Sequence, residues 1–392
     1  MDLNKNNSHF GYRPDIDGLR AVAVLLVIIF HAFPNIISGG YVGVDIFFVI
    51  SGFLITTIIQ KSLNVGKFTI KDFYARRIIR IFPALILTLL VCWLFGWFAL
   101  LPLEYARLGT QMLSGAAFFS NFLFWLQGGY FDIESIKKPL LHLWSLGVEE
   151  QFYIFYPLLL IIAWRKSYKI FWILIVLICL SFSLNFFLSI GDQIIIKFGS
   201  IDFVLSNTFY SPFTRFWELI LGGVLAIHNS PQRFVSEKFT AVLKIKSHDL
   251  ISVSGLLLIT GFLLFYPNNY DAQIGAWMLL PTLGAYLIIS AGPAGVINRK
   301  ILSARFFVWV GKISYPLYLW HWPLLSFIHI TDSRNNSSWL RLTLVLISIL
   351  LAWLTFRFVE IPFRTIKDRG AAGVDIMLKY DVRGCNCCIH HS

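Results

Sequence analysis

The sequence predicts an all-α protein, a polytopic bundle of about ten transmembrane helices. Of its 392 residues, 57% are hydrophobic and only 14% are charged, whereas a soluble domain carries about 25% charged residues. Apolar stretches of roughly 20 residues, the length that spans a bilayer, recur along the chain between short polar loops. The aromatic fraction of 17% fits lipid-facing Phe and interfacial Trp and Tyr. A soluble globular chain is therefore excluded.

Eleven apolar segments are candidates for these helices. They lie at about 19–33, 42–60, 81–101, 108–127, 145–164, 170–190, 212–228, 249–266, 273–291, 306–328 and 340–358. The weakest candidate is 108–127, which suits a re-entrant segment because it contains several polar side chains. These are Gln111, Ser114, Ser120, Asn121 and Gln127.

The distribution of Lys and Arg predicts the orientation. The loop 61–80 holds six of them, so the positive-inside rule places this loop and the N-terminus in the cytoplasm. If all eleven segments cross, the basic loops 165–169, 229–248 and 292–305 face outward. If one segment near 108–164 fails to cross, all three face inward. Ten crossings with both termini inside are therefore favoured, and eleven is the alternative.

The net charge of +12 does not indicate nucleic-acid binding. Lys and Arg lie in loops between apolar segments, where they set membrane topology. The first 18 residues are polar and lead straight into membrane segments, so no cleavable signal peptide is expected.

The chain divides into a membrane domain, 1–365, and a tail, 366–392. The tail has neither membrane hydrophobicity nor an amphipathic pattern, so it is predicted to be disordered. Its string 385–391 holds three Cys and two His but no Cys-x-x-Cys pair, so no metal site is expected there.

Ionisable groups inside membrane helices are costly and are candidates for function. His31 lies near the end of the first apolar segment, eleven residues after Arg20. At about 100° and 1.5 Å per residue, both lie on nearly one helical face, about 16 Å apart along the axis. This suits a long donor such as an acyl-coenzyme A, with Arg20 at its phosphates and His31 as general base or acyl carrier. The alternative is a snorkelling Arg20 and a His31 that hydrogen-bonds within the bundle.

A second cluster surrounds the start of the third apolar segment. Arg77 and Arg80 are three residues apart, so they share a helical face. Two guanidinium groups on one helical face can bind a phosphate group together. Arg suits this role better than Lys, because its planar group matches the geometry of phosphate. The alternative is ordinary charge that sets topology.

Asp45 lies at the membrane boundary of the second apolar segment. A carboxylate there is a candidate to orient the His31 imidazole and to stabilise imidazolium. Pairing with a structural Arg is equally open. Gly52, in the same segment, predicts a close approach of another helix.

Glu149 and Glu150 are adjacent carboxylates in a predicted helix. Neighbouring residues on a helix do not face the same way. At most one of them is therefore expected to line a site, while the other pairs with a cation or reaches a surface.

Three further ionisable residues stand inside apolar segments. Glu218 and Glu360 are interpreted as structural partners of Arg215 and Arg357. His321 lies between two Trp residues and shortly before a proline. For His321, site lining and simple packing are equally open.

Together these strings resemble the acyltransferase-3 family of membrane acyltransferases, which includes bacterial O-antigen O-acetyltransferases. The matching segments keep one order along the chain and cover most of 10–365. They are 12–21 leading to His31, 43–54, 73–83, 142–153, 216–223 and 313–323.

The resemblance implies a helical enzyme of the bacterial inner membrane with a cytoplasmic N-terminus. It would take an acyl group, usually acetyl, from cytoplasmic acyl-coenzyme A. The acceptor would be a hydroxyl of a surface or lipid-linked glycan, such as lipopolysaccharide O-antigen. No metal cofactor is implied.

The resemblance also implies roles for individual residues. His31 becomes the catalytic histidine and Arg20 its paired arginine. Arg77 and Arg80 become the cytoplasmic arginines near the donor. Asp45 and the pair at 149–150 resemble family site residues without a settled role.

Members close to this pattern often continue with another membrane helix and a periplasmic SGNH hydrolase-like domain that completes transfer. This sequence stops short of both. A stand-alone enzyme is one interpretation, and a separate SGNH-type protein is a candidate partner. One alternative is a truncated acyltransferase that binds the donor without complete activity.

A transporter or flippase of a glycan, lipid or anion is the competing interpretation, because buried charges also line translocation paths. The sequence lacks paired half-helices interrupted by Gly or Pro, the sign of an inverted repeat. This favours the enzyme. Binding of coenzyme A would distinguish the two classes.

Overall fold

A computed structural model shows the chain as a bundle of helices. The structure describes residues 12–127, 133–166, 169–190, 194–198, 201–205, 208–228, 248–265, 274–331 and 337–365. The predicted tail 366–392 and its Cys and His string lie outside the described residues. The all-α, multi-pass class is confirmed.

The described α-helices follow the apolar segments. They are α1 (Pro14–Ala32), α2 (Gly43–Asn64), α3 (Ile70–Ala99), α4 (Pro102–Ala116), α5 (Ser120–Leu126), α6 (Leu143–Arg165), α7 (Ile170–Ile190), α8 (Pro212–His228), α9 (His248–Phe265), α10 (Ile274–Trp277), α11 (Leu279–Ala291), α12 (Arg305–Lys312), α13 (Ser314–Thr331) and α14 (Ser338–Thr355).

Short elements complete the fold. Turns of 3-10 helix lie at Gly40–Val42, Ile133–Lys137 and Thr208–Tyr210, and π-helical turns at Asn298–Leu302 and Phe356–Glu360. One antiparallel hairpin, β1 (Ile194–Phe198) and β2 (Ile201–Leu205), follows α7, with Ile194 paired to Leu205. The sequence pattern predicts no strands, so this hairpin is an addition to the helical bundle.

Six helices among the described residues are long and apolar enough to cross a membrane. They are Gly40–Asn64, Ile70–Ala99, Leu143–Arg165, Ile170–Ser189, His248–Phe265 and Ser338–Thr365. Among the others, α8 has 17 residues and α11 has 13. The first turn of α1 carries two Asp residues. The number of ten crossings stays a prediction.

The segment 108–127 is not one helix. α4 has 15 residues and α5 has 7, and both are shorter than a span of roughly 20. Between them Phe118 has a φ of 58°, which is costly for a residue with a side chain. The Phe118 carbonyl and the Asn121 amide oxygen each accept a hydrogen bond of 2.8 Å from Gln151 of α6. The polar character that weakens this segment as a span therefore ties a broken helix to the bundle.

One of the basic loops, 292–305, lies against the start of α1. Gly18 of α1 packs directly on the backbone of Leu302. The buried Asn298 amide donates to Asp15 over 2.8 Å. The loop 292–305 and the N-terminal end of α1 therefore share one end of the bundle.

α2 and α8 pack closely against each other. Gly52 lies against the Leu219 carbonyl, and Gly222 lies against the Val49 carbonyl. A Cβ atom at either glycine would overlap the facing backbone. Small residues let membrane helices approach in this way, as Gly52 predicts.

The substitution Gly52→Ala is expected to lower the thermal unfolding midpoint, because the added methyl group must push α8 away. Overpacking of this kind costs about 1–3 kcal/mol. Gly109→Ala in α4 is the matched control, since no atom lies within 4 Å of its would-be Cβ. That control should be neutral or slightly stabilising, because Ala favours a helix over Gly. Unfolding of both purified variants in detergent checks this, and equal midpoints would contradict the tight contact.

Candidate active site

A cavity of about 770 Å³, its opening included, lies between α1, α2, α3, α6 and α13. Its wall combines apolar side chains with arginines and hydroxyls. The polar lining is Arg20, Ser51, Arg77, Arg80, Ser145, Glu149, Ser314, Tyr315 and Tyr318. We call this space the arginine cavity.

The three arginines of the cavity come from two helices. Arg77 and Arg80 lie one turn apart on α3, and Arg20 lies on α1. Their guanidinium groups face one apolar space, a combination that fits an amphipathic ligand with anionic groups at one end.

Arg77 forms an ion pair with the Glu150 carboxylate. Its guanidinium lies 2.6 Å from Glu150 and 3.9 Å from Glu149. It also lies 3.7 Å from the centre of the Tyr153 ring, a cation–π distance. Arg77 is therefore fixed in place, and much of its charge is compensated.

Glu149 and Glu150 point in different directions, as expected for neighbouring residues on a helix. Glu149 lines the arginine cavity and accepts hydrogen bonds from Ser51 at 2.7 Å and Tyr153 at 2.5 Å. Glu150 is largely buried and pairs with Arg77. Only one of the two faces the cavity, as the sequence predicts.

Arg80 differs from its neighbours in charge compensation. Arg20 lies 3.3 Å from Asp17, and Arg77 has Glu150. Across the ranges that the structure describes, no carboxylate lies within ion-pair distance of Arg80. Of the three cavity arginines, Arg80 is therefore the one whose charge no ion pair among the described residues compensates.

His31 lies outside the lining of the arginine cavity and pairs with a second histidine. Its Nδ1 atom is 3.0 Å from Nε2 of His321 on α13. The Trp322 ring packs on His31, with ring centres 4.4 Å apart. Of the two interpretations open for His321, site lining and packing, the structure gives it a direct contact with His31.

Tyr318 lies at the boundary between the arginine cavity and the two histidines. It lines the cavity, and its ring centre is 5.4 Å from that of His321. Its hydroxyl donates to the His142 carbonyl at 2.9 Å and lies 2.7 Å from the Ser145 hydroxyl. Tyr318 therefore lies between the arginine cavity and the histidine pair, and hydrogen bonds hold it there.

Asp45 lies in a different cluster, so its predicted role as the partner of His31 is wrong. Its carboxylate accepts a 2.6 Å hydrogen bond from Arg215, which also lies 2.9 Å from Glu218. All three side chains are buried. Asp45, Val49 and Gly52 lie on the face of α2 that packs on α8, and this face turns Asp45 away from the cavity. The Arg pairing left open for Asp45 is the one observed.

Two structural pairings have different outcomes. Glu218 pairs with Arg215, as predicted. Glu360 pairs with Arg364 at 2.5 Å rather than with Arg357. A spacing of four residues in a helix brings Glu360 and Arg364 together on one face.

The sequence analysis does not identify four of the residues that line the cavity, Tyr315, Tyr318, Ser51 and Ser145. Tyr315 and Tyr318 precede His321 at intervals of three, which places these two tyrosines along the same side of α13 as His321. This spacing inside an apolar helix is the signal that would have identified them. Ser51 and Ser145 carry no comparable signal, because single hydroxyls are common in membrane helices.

Comparison with known proteins gives a family match over most of the chain. The acyltransferase domain model of the acyltransferase-3 family matches residues 13–357. The peptidoglycan O-acetyltransferase OatA of Listeria monocytogenes is 30% identical over 362 residues, which cover 90% of this chain and 56% of that protein. The O-acetyltransferase OatA of Staphylococcus aureus (strain NCTC 8325) is 31% identical over 357 residues, with 90% and 57% covered.

The chain spans little more than half the length of these relatives. No solved structure matches it. The matched range includes the three cavity arginines and both members of the histidine pair, His31 and His321. This chain therefore belongs to the acyltransferase-3 family of membrane acyltransferases.

Proposed function

We propose that this protein is a membrane O-acyltransferase that moves an acyl group, most simply acetyl, from cytoplasmic acyl-coenzyme A to a hydroxyl of a cell-surface glycan. The observation that supports this most is the arginine cavity, which ends beside the histidine pair. An acyltransferase needs a site for an anionic donor and a group that accepts and returns a proton. In this chain the arginine cavity suits the donor, and the neighbouring His31 suits the proton transfer.

The donor site is the arginine cavity. Arg80 and Arg20 hold donor phosphates, because guanidinium groups bind phosphate oxygens in a bidentate, charge-assisted manner. Arg77 is fixed by Glu150 and completes the cationic wall. The apolar wall, which includes Phe47 and Leu54, suits the pantetheine arm. The thioester then lies toward Tyr318 and the histidine pair.

His31 handles the proton of the transfer. Its ring nitrogen takes the proton of the acceptor hydroxyl while the hydroxyl oxygen attacks the thioester carbonyl carbon. The carbon–sulfur bond breaks, and the thiolate of coenzyme A takes that proton from His31. An ester and a free thiol result, and His31 returns to its neutral form. A transient acyl-His31 is the other route.

The protein is placed in the bacterial cytoplasmic, or inner, membrane with its N-terminus in the cytoplasm. The basic loops support this orientation through the positive-inside rule. Arg20, Arg77 and Arg80 then face the cytoplasmic supply of acyl-coenzyme A. His31 lies farther along α1, toward the outer side.

The acceptor is an exported glycan. Two polysaccharides are supported by different observations: lipopolysaccharide O-antigen by the motif resemblance, and peptidoglycan by the name of the Listeria relative. The chain covers little more than half of its relatives. A periplasmic SGNH-type protein is proposed as a partner in delivery, because members of the family that the motifs resemble use such a domain to complete transfer.

Expression in bacteria that lack their own glycan O-acetyltransferase tests the transfer. Cells with this chain, with His31→Ala or with empty vector are compared by NMR of both isolated glycans. Acetyl signal that depends on His31 is expected, and the glycan that carries it identifies the acceptor. Absence of signal despite normal membrane expression, with and without an SGNH-type partner, would overturn the proposal.

Arg80→Gln is expected to weaken binding of acetyl-coenzyme A about 10- to 100-fold, because a charge-assisted hydrogen bond contributes about 1.5–3 kcal/mol. Arg76→Gln is the matched control, since Arg76 lies on the same helix with an exposed side chain. Calorimetry on the purified protein in detergent measures both affinities. A transporter has no need of coenzyme A, so absence of binding by the unaltered chain would favour that class.

A further inference from the structure

A buried histidine lies directly behind His31 and is not explained by donor binding. His321 is 1% exposed, and the two ring nitrogens that face each other are 3.0 Å apart. The planes of the rings differ by only 12°, and their centres are 5.3 Å apart. The distance between the ring centres exceeds the distance between the facing nitrogens by about the sum of the two ring radii. The rings therefore meet edge to edge, the geometry of an in-plane hydrogen bond.

The proton positions in this pair follow from a backbone carbonyl. The other ring nitrogen of His321, Nδ1, lies 3.2 Å from the Leu317 carbonyl oxygen. A carbonyl oxygen can only accept, so Nδ1 of His321 carries the hydrogen. In a neutral imidazole the second nitrogen is then an acceptor. Nε2 of His321 therefore accepts from His31, and His31 holds its hydrogen on Nδ1.

This proton arrangement fixes the reactive nitrogen of His31. With the hydrogen on Nδ1, the lone pair of His31 is on Nε2. Either role considered for His31, general base or acyl carrier, needs a ring nitrogen with a lone pair. The chain of Leu317, His321 and His31 selects which nitrogen that is.

We propose that His321 is a positioning residue, which holds His31 in the tautomer and orientation that present Nε2 for acyl transfer. This inference rests on the proposed function of His31. When His31 takes the proton of the hydroxyl, its Nδ1–H bond to His321 persists. His321 then stabilises the imidazolium as a neutral acceptor.

A neutral partner has a physical reason in this setting. A carboxylate beside His31 would carry a buried charge within the bundle while the enzyme is at rest, and such a charge is costly. The acidic side chain predicted for this role, Asp45, is instead bound to Arg215. A second imidazole orients His31 without a resting charge.

Three substitutions test the role by kinetics of the full-length chain. His321→Phe keeps the shape of the ring but removes the acceptor, so kcat should fall about 10- to 100-fold with little change in KM for acetyl-coenzyme A. His321→Gln can place an oxygen near the lost Nε2 atom and should recover most of the rate. His329→Phe, two turns farther along α13, is the matched control and should leave kcat unchanged.

NMR of the purified protein with 15N-labelled histidine provides a readout that does not need turnover. The His31 signals, assigned with His31→Gln, should show a protonated Nδ1 and an unprotonated Nε2. His321→Phe should remove that preference, and His321→Gln should keep it. An unprotonated Nδ1 in the unaltered chain would overturn the proposal, whatever the activity.

The kinetic outcomes separate the two proposals. If the unaltered chain transfers acyl groups but His321→Phe has the same kcat, the positioning role is wrong and the proposed function stands. If His31→Ala keeps full activity, the proposed function of His31 fails. A loss in His321→Phe that Gln does not recover, with the His31 tautomer unchanged, would assign His321 to packing alone.

Discussion

His31→Ala is expected to lower the rate of acyl transfer about 10²- to 10⁴-fold, the range that general acid–base catalysis contributes. Binding of acetyl-coenzyme A should change little, because the arginine cavity does not include His31 in its lining. The effect should therefore appear in kcat and leave the donor KM nearly constant. Transfer from radiolabelled acetyl-coenzyme A to isolated glycan, measured with protein in vesicles, provides both constants.

A histidine at another helix end serves as the control for His31→Ala. His228 is the last residue of α8 and is partly exposed, so His228→Ala should keep both constants. Equal rates for the unaltered chain and His31→Ala would remove His31 from the chemistry. A parallel loss of donor affinity in His31→Ala would place the imidazole in donor binding instead.

Local periodicity explains what could be predicted of the site. Arg77 and Arg80 share the cavity because three residues make nearly one turn of α3. Glu149 and Glu150 diverge because neighbours on a helix point apart. The weakness of 108–127 as a membrane span was indicated by polar residues in an otherwise apolar segment. Each of these inferences needs only one helix and its geometry.

Contacts between distant helices could not be predicted in the same way. His31 and His321 are 290 positions apart, and Asp45 and Arg215 are 170 apart. α2 is apolar on all sides, so its sequence does not show which face meets α8 and which faces the cavity. A single clue was present, because Gly52 lies seven residues after Asp45 and therefore on the same face. A close helix contact at Gly52 implied that Asp45 also faces that neighbour.

Arg215→Met is expected to cause the largest loss of stability among these variants. Arg215 is 1% exposed and pairs with two carboxylates, those of Asp45 and Glu218, which are fully buried. Removal of one partner from a buried ion pair costs about 3–5 kcal/mol, because a buried charge is left uncompensated. Here two carboxylates lose their common cation. Thermal unfolding of the purified protein in detergent should show a clear fall in the midpoint.

Two comparisons isolate the charge effect. Arg305→Met removes an exposed arginine from α12 and should leave the midpoint nearly unchanged. The triple variant Asp45→Asn, Arg215→Met, Glu218→Gln removes all three charges together. Replacement of a whole buried ionic group is often neutral or stabilising, so this variant should recover much of the lost stability. No recovery would mean that the cluster acts through shape and hydrogen bonds rather than through charge.

The triple variant also decides whether Asp45 belongs to the chemistry. The Arg215 cluster provides no lining to the arginine cavity, and Asp45 is held by Arg215 rather than by His31. A stable triple variant should therefore keep acyl transfer near the level of the unaltered chain. If it folds, binds acetyl-coenzyme A and fails to transfer, then at least one member of the cluster, Asp45, Arg215 or Glu218, takes part in the reaction. In that case the contact between α2 and α8, where these three side chains meet, would belong to the active site.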